Sequence, residues 1–186
     1  MRSLEQEPSA GGNDPGPQEL ETPRLWLRRL DAGDAAFFLA LVTDPAWRRF
    51  IGERNVHTVE EARRSLVEGP IAMYARTGHG LLCVERKEDG VRLGICGLIR
   101  RDTLPDVDLG FAFLPAFRGQ GYAAESAEAT LVHARDDLRL KRLVAIASPD
   151  NVDSLKLLAR LGMRHEKTFS FPGETRLTAL YAIEWA

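Results

Sequence analysis

The chain has 186 residues, of which 44% are apolar and 28% charged, a globular composition able to bury the core of one domain. Its 25 Lys and Arg stand against 27 Asp and Glu, a formal −2, without the basic excess of a dedicated nucleic-acid binder. The longest apolar run, Ala35 to Val42, is far too short to span a membrane, and no apolar stretch near the start reads as a secretory signal, so a soluble, cytoplasmic protein is expected.

Residues 1–21 hold three of the ten prolines and almost no large apolar side chain, and read as a flexible N-terminal tail. Residues 22–186 read as a single domain. Within it, RLWLRRL from Arg24 alternates like a strand, and Asp31 and Asp34 announce a helix over the apolar run that follows, ended by Pro45. Thr58-Val-Glu-Glu61 has capping-box spacing and opens a second helix to Glu68, interrupted at Gly69-Pro70 and resuming through Tyr74. Gly80–Glu85 and Arg92–Arg100 read as a hairpin about an Asp-Gly turn, and Asp106–Leu114 as the next strand of a meander.

The pattern then changes. Ala123–Arg139 places small apolar residues at helical spacing, and Arg142–Ile146 is a short, nearly all-apolar strand. Asn151–Arg160 is a helix ended by Gly162, and Met163–Phe171 and Thr178–Trp185 are closing strands. Antiparallel hairpins followed by strand–helix–strand–helix make a mixed α+β fold. Cys83 and Cys96 lie in apolar segments with no CxxC, and His57, His79, His133 and His165 are scattered. Buried, reduced thiols and no metal site follow.

The most informative segment runs from Leu109 to Glu125. A strand enters a loop bearing Gly119 and Gly121, and the loop enters the N-terminus of a long helix. Glycines let the backbone approach a guest, first-turn N–H groups lack partners, and Arg118 adds a cation, so a phosphate or pyrophosphate fits. The alternative is that the glycines merely shape the turn. Neither GxxxxGK[ST] nor GxGxxG is present, since Tyr122, Ala123 and Ala124 follow Gly121.

Arg118-Gly-Gln-Gly-Tyr-Ala123 resembles the [Gln/Arg]-x-x-Gly-x-[Gly/Ala] motif of the GNAT superfamily of N-acetyltransferases. Asp108-Leu-Gly-Phe-Ala-Phe-Leu-Pro115 looks like the family's fourth strand. Asn151-x-x-Ser154-Leu-x-x-Leu158-x-x-Leu-Gly-Met163 and Glu21-Thr-Pro-Arg-Leu25 are similar to segments of its RimJ/RimL-like branch. The resemblance implies one N-acetyltransferase domain over residues 22–186. Its mostly antiparallel sheet would be splayed between the fourth and fifth strands and flanked by about four helices.

Acetyl-coenzyme A would then wedge into the splay as co-substrate. Backbone amides of Gly119, Gly121, Tyr122 and Ala123 would cradle its diphosphate, with Arg118 and Gln120 closing over it and Asn151 binding the arm. Main-chain groups of Phe111, Phe113 and Leu114 would pair with the pantetheine. Asp108 matches a position where the branch carries Glu and is the candidate base, directly or through a water; its other reading is a surface carboxylate. Ser154 is the candidate acid for the leaving thiolate, with helix capping the other reading for it and Asn151.

His165 and Glu166 read as a solvated strand edge, and Glu125 as a carboxylate favoured by the helix dipole. Trp26, Trp47 and Trp185 read as core or cleft wall. Trp47, Arg48, Arg49, Phe50, Arg54 and Arg63 make residues 44–80 aromatic and basic, which suits an acidic or peptide-like acceptor. The expected activity is acetyl transfer to a primary amine, a protein N-terminus or a small molecule. The alternatives are a non-catalytic acyl-coenzyme A-binding protein and a nucleotide-binding protein. Edge strands near the C-terminus suit a homodimer.

Overall fold

The structure, a computed structural model, describes residues 18–186. Strand β2, Leu25–Arg29, buries Leu25 and Leu27 completely, as its alternation requires. Strand β1, Gln18–Glu21, runs antiparallel beside it and corrects the far end of the expected tail. Residues 1–17 lie outside the described residues. The composition gave no sign of β1 because main-chain pairing with β2 holds it, Leu20 being its apolar contact with the core.

Helix α1 spans Ala35–Val42. Pro45, expected only to end it, begins a further helix, α2, Pro45–Phe50, whose first amides bond the Asp44 carboxylate. Proline suits that first position because its missing N–H would have no helical partner there. Helix α3, Val59–Leu66, carries the Thr58/Glu61 capping box. The expected break at Gly69-Pro70 is instead a wide π-type turn, Val67–Ile71, that accommodates the proline and leads into α4, Ala72–Thr77. With α3, the π-type turn and α4 taken as one run, the described residues hold about five helices, α2 being the addition to those expected.

The meander follows as β3 (Leu81–Arg86), β4 (Arg92–Ile99) and β5 (Asp108–Phe113). Its hairpin turns at Gly90, φ 69°. Helix α5, Tyr122–Val132, runs on through a π-type turn, His133–Asp137. Then come β6 (Arg142–Ala147), α6 (Val152–Arg160), β7 (Arg164–Phe169) and β8 (Thr178–Glu184). The eight strands form one sheet ordered β1-β2-β3-β4-β5-β6-β8-β7, antiparallel except at β5–β6. With β1 added, the expected fourth and fifth strands are β5 and β6.

Successive residues of β4 show the two layers. Cys96 and Leu98 join the cluster containing Ala127 of α5, whereas Ile95 joins Phe38, Leu41 and Leu66 of α1 and α3. Both cysteines are wholly buried and free, and burial pushes the Cys96 thiol up to about 11 and Cys83 higher still.

A buried ion network joins β2 to the start of α1. Arg28 donates to both oxygens of Asp34 at 2.8 and 2.9 Å and to Glu85 Oε1, and Arg92 Nε stands 2.9 Å from Asp34. Burial alone would raise the Asp34 pKa, but the bonds from Arg28 and Asp31 outweigh it and hold the carboxyl below its ordinary value. Its stabilisation is therefore present above the unfolded value of ~4 and is lost as pH falls through and below it. Asp34→Ala takes from Arg28 its bidentate partner, leaving it Glu85, and should lower stability by about 3 kcal/mol in urea unfolding, more at pH 7 than at pH 3. An unchanged midpoint at pH 7 would count against this account.

Candidate functional site

Six residue pairs join β4 to β5, but Asp108↔Val144 is the one pair joining β5 to β6. Beyond that point the two strands part toward their C-terminal ends, where α5 and α6 begin. The Leu114 amide donates to Leu93 O at 2.9 Å, on the β4 side. By strand alternation Ala112 and Gly110 face the same way, so Phe111 and Phe113 turn their main-chain groups into the gap. Leu114 is a correction: its amide is engaged with β4 and its carbonyl accepts from Phe117 N. A guest strand can pair with Phe111 and with the Phe113 N–H, while the Phe113 carbonyl accepts from Arg118 Nε.

The glycine turn lies at the mouth of this gap. Gly119 and Gly121 have φ of 73° and 82°, in the left-handed region that glycine adopts without steric penalty. Gly121 caps α5 without any side-chain bond to the first turn, leaving the amides of Tyr122, Ala123 and Ala124 without helical partners. The side chains of Arg118 and Gln120 are both engaged within the protein. Arg118 bonds Phe113 O and, at 2.7 Å, the Asp44 carboxylate, so its charge is neutralised across to α2. Gln120 Nε2 bonds Ala116 O within the turn.

Glu125 does more than meet a helix dipole. It accepts from Thr22 Oγ1 and from the main chain and guanidinium of Arg24, whose Nη1 also bonds Gln120 O. Burial pushes its pKa up, but these bonds prevail and keep it below the usual carboxylate range. Sequence reading missed this clasp, since nothing local ties Arg24 to a residue so far along the chain.

Asp108 is not a surface carboxylate: it is 1% exposed. It lies at the point where β5 leaves β6, its side chain on the sheet face covered by α1–α3. Arg101 Nε donates to its Oδ1 at 2.9 Å, while Oδ2 is buried without a partner. Burial raises its pKa above the ordinary value against the opposing pull of Arg101. Arg101 had no sequence signal, since only the β4–β5 loop brings it back. The Trp47 indole Nε1 is also buried and unpartnered, and the Arg54 guanidinium lies 5.7 Å from the Trp47 ring centre.

Asn151 caps α6 by accepting from Ser154 N at 3.2 Å, as the capping reading expected, which leaves its Nδ2 group available. The Ser154 hydroxyl is half-buried at the parted end of β6 and makes no hydrogen bond among the described residues. His165 and Glu166 are exposed, His165 bonding Thr168 and Glu166 pairing with Arg142. No group of three or more metal-ligating side chains occurs among the described residues, and no helix there is long and apolar enough to cross a membrane.

This arrangement can be compared with known proteins. A family model described as an acetyltransferase (GNAT) domain matches residues 24–164. The Bacillus subtilis N-acetyltransferase YoaA, itself uncharacterized, is 26% identical over 148 residues, covering 79% of this chain and 83% of the relative. An acetyltransferase structure from Agrobacterium tumefaciens superposes with a TM-score of 0.77 at 24% identity, covering 100% of this chain and 99% of the other. The structure of RimL, a ribosomal L7/L12 alpha-N-protein acetyltransferase in complex with coenzyme A, superposes with a TM-score of 0.73 at 18% identity over 88% of this chain and 95% of its own.

Arg101 supplies the influences that lower the Asp108 pKa, and burial the one that raises it. Arg101→Met should therefore move the Asp108 midpoint upward in a carboxyl carbon NMR titration. A folded pKa above the unfolded one means that the folded state binds the extra proton, so the variant should lose stability as pH rises from ~4 through the new midpoint. A midpoint that stays or falls would contradict the assignment.

Proposed function

Because the chain belongs to the GNAT acetyltransferase family, we propose that it transfers an acetyl group from acetyl-coenzyme A to a primary amine by direct attack with both substrates bound. The acceptor is a protein N-terminus or a small-molecule amine. The observation that carries this reading is Asp108, a buried carboxylate with one unpartnered oxygen where β5 and β6 part. A binding module has no need of such a group, and a transferase does.

Acetyl-coenzyme A supplies an acetyl group activated as a thioester. The main chain of Phe111 and Phe113 holds the pantetheine as a strand partner, and an N–H there meets the charge gathering on the carbonyl oxygen. Unpaired amides from Gly119 to Ala123 take the diphosphate, and Asn151 Nδ2 the arm. Asp108 removes a proton from the acceptor nitrogen, which is protonated in water because an α-amine titrates near ~8. Its raised pKa suits it to that task. As the C–N bond forms and the C–S bond breaks, the Ser154 hydroxyl gives its proton to the departing sulfur and regains one, through water, from the acetylated nitrogen, which still carries a proton to lose.

Thiol release from acetyl-coenzyme A with a panel of amines and peptides tests the proposal. Asp108→Asn should lower kcat about 100-fold, leave coenzyme A affinity by calorimetry near that of the parent, and flatten the acid limb of the kcat/KM profile. That limb should rise with pH through a value above the ordinary ~3.9 of Asp. Ser154→Ala should lower kcat while leaving the limb in place. Calorimetric binding of coenzyme A with thiol release at background for every acceptor would favour the non-catalytic reading.

A further inference from the structure

Three polar groups, strung from Trp47 through Arg54 and Arg101 to Asp108, lack partners or stand apart from opposite charge, and they point to one ligand chemistry. The Trp47 indole N–H is buried with no acceptor. The Arg54 guanidinium lies 5.7 Å from the Trp47 ring centre and 5.9 Å from that of Phe38, with no ion pair among the described residues. Asp108 Oδ2 is buried with no donor. Arg101 lies 2.9 Å from Asp108 Oδ1; removal of the Arg54 guanidinium from water and, to a lesser degree, the like charge of Arg101 lower the Arg54 pKa.

Nearby carboxylates do not balance this charge. Asp44 is taken by Arg118 and Asp106 by Arg142, while Glu53, Asp102 and Glu174 are exposed and form no ion pair among the described residues. Arg176, from the β7–β8 loop, adds a further cation beside α2, donating to Arg49 O at 2.7 Å. Donors that lack an acceptor beside an acceptor that lacks a donor describe a zwitterionic guest.

Resting on the transferase reading above, we propose that the acceptor is an amine that also bears a carboxylate, the carboxylate docking on Arg54, Arg101 and the Trp47 indole N–H while the amine meets Asp108. Arg101 is thereby shared between guest and base. As it turns toward the carboxylate its hold on Asp108 loosens, and the base gains proton affinity when an acceptor is present. Free amino acids and peptides with an acidic second or third residue offer the same chemistry.

Two measurements test this. In the thiol-release assay, L-serine and β-alanine are compared with their carboxamides, and Ser-Glu-Glu-Leu with Ser-Gln-Gln-Leu, the last residue amidated in both. Each acid should exceed its amide in kcat/KM by about tenfold or more in the arm that holds the true class, small molecule or peptide. Arg54→Gln should bring that ratio near one, and Arg54→Lys should keep part of it. Ratios near one in the parent protein, or a ratio undiminished in Arg54→Gln, overturn the inference.

The second measurement does not depend on turnover. In protein labelled with nitrogen-15 at tryptophan, Trp26→Phe and Trp185→Phe assign the Trp47 indole signal by elimination. That signal should move on titration with the acid of the responding pair and not with its amide. No movement with any acid overturns the inference even where other amines are acetylated. Movement without transfer to any amine leaves the carboxylate site standing and removes the transferase reading instead.

Discussion

The organising constraint of the molecule is the parting of β5 from β6. Inside a sheet a strand interior has partners on both edges, but beyond the Asp108↔Val144 bridge β5 has β4 on one edge only. The outward main-chain groups of Phe111 and the Phe113 N–H therefore require water or a guest of strand-like shape, the Phe113 carbonyl already accepting from Arg118. Other features follow from that opening. Two helices start where the strands diverge, one with unpaired amides and one with an asparagine cap, and a buried carboxylate lies at the closed end.

Arginines bind the framework around this opening, and their burial decides what each contributes. Arg28 and Asp34 are almost completely excluded from solvent and bidentate, so each is indispensable to the other. Arg24 with Glu125 and Arg118 with Asp44 are nearly half-exposed on the arginine side and weaker in energy, but each joins segments remote in the chain to the ends of the glycine turn. The turn's shape is thus set from outside by β2 and α2 as well as by its own glycines.

How far the sequence could be read follows from the range of the forces involved. Features resting on neighbours along the chain were legible: the Asp-Gly hairpin, the Thr58/Glu61 capping box, the positive-φ glycines of the turn and the Asn151 cap. Features resting on distant partners were not. Strand β1 is made by pairing with β2, the Arg118 charge is quenched by Asp44, and the Leu114 amide is claimed by Leu93. Asp108 was legible as a candidate, yet its depth and its tie to Arg101 come from the return of the β4–β5 loop and from α1–α3 covering the sheet. Helix α2 was hidden for a different reason: Pro45 signals an end and a beginning equally well.

The two cysteines have a practical bearing. Cys83 and Cys96 are sealed inside the sheet layers, Cys96 bonded to Thr130, and both resist ionisation at neutral pH. Only a thiolate attacks a disulfide dye. The native protein is therefore silent toward such a reagent, and colour developing in a mixture reports free coenzyme alone, whereas a slow protein-derived rise would signal that the fold has opened.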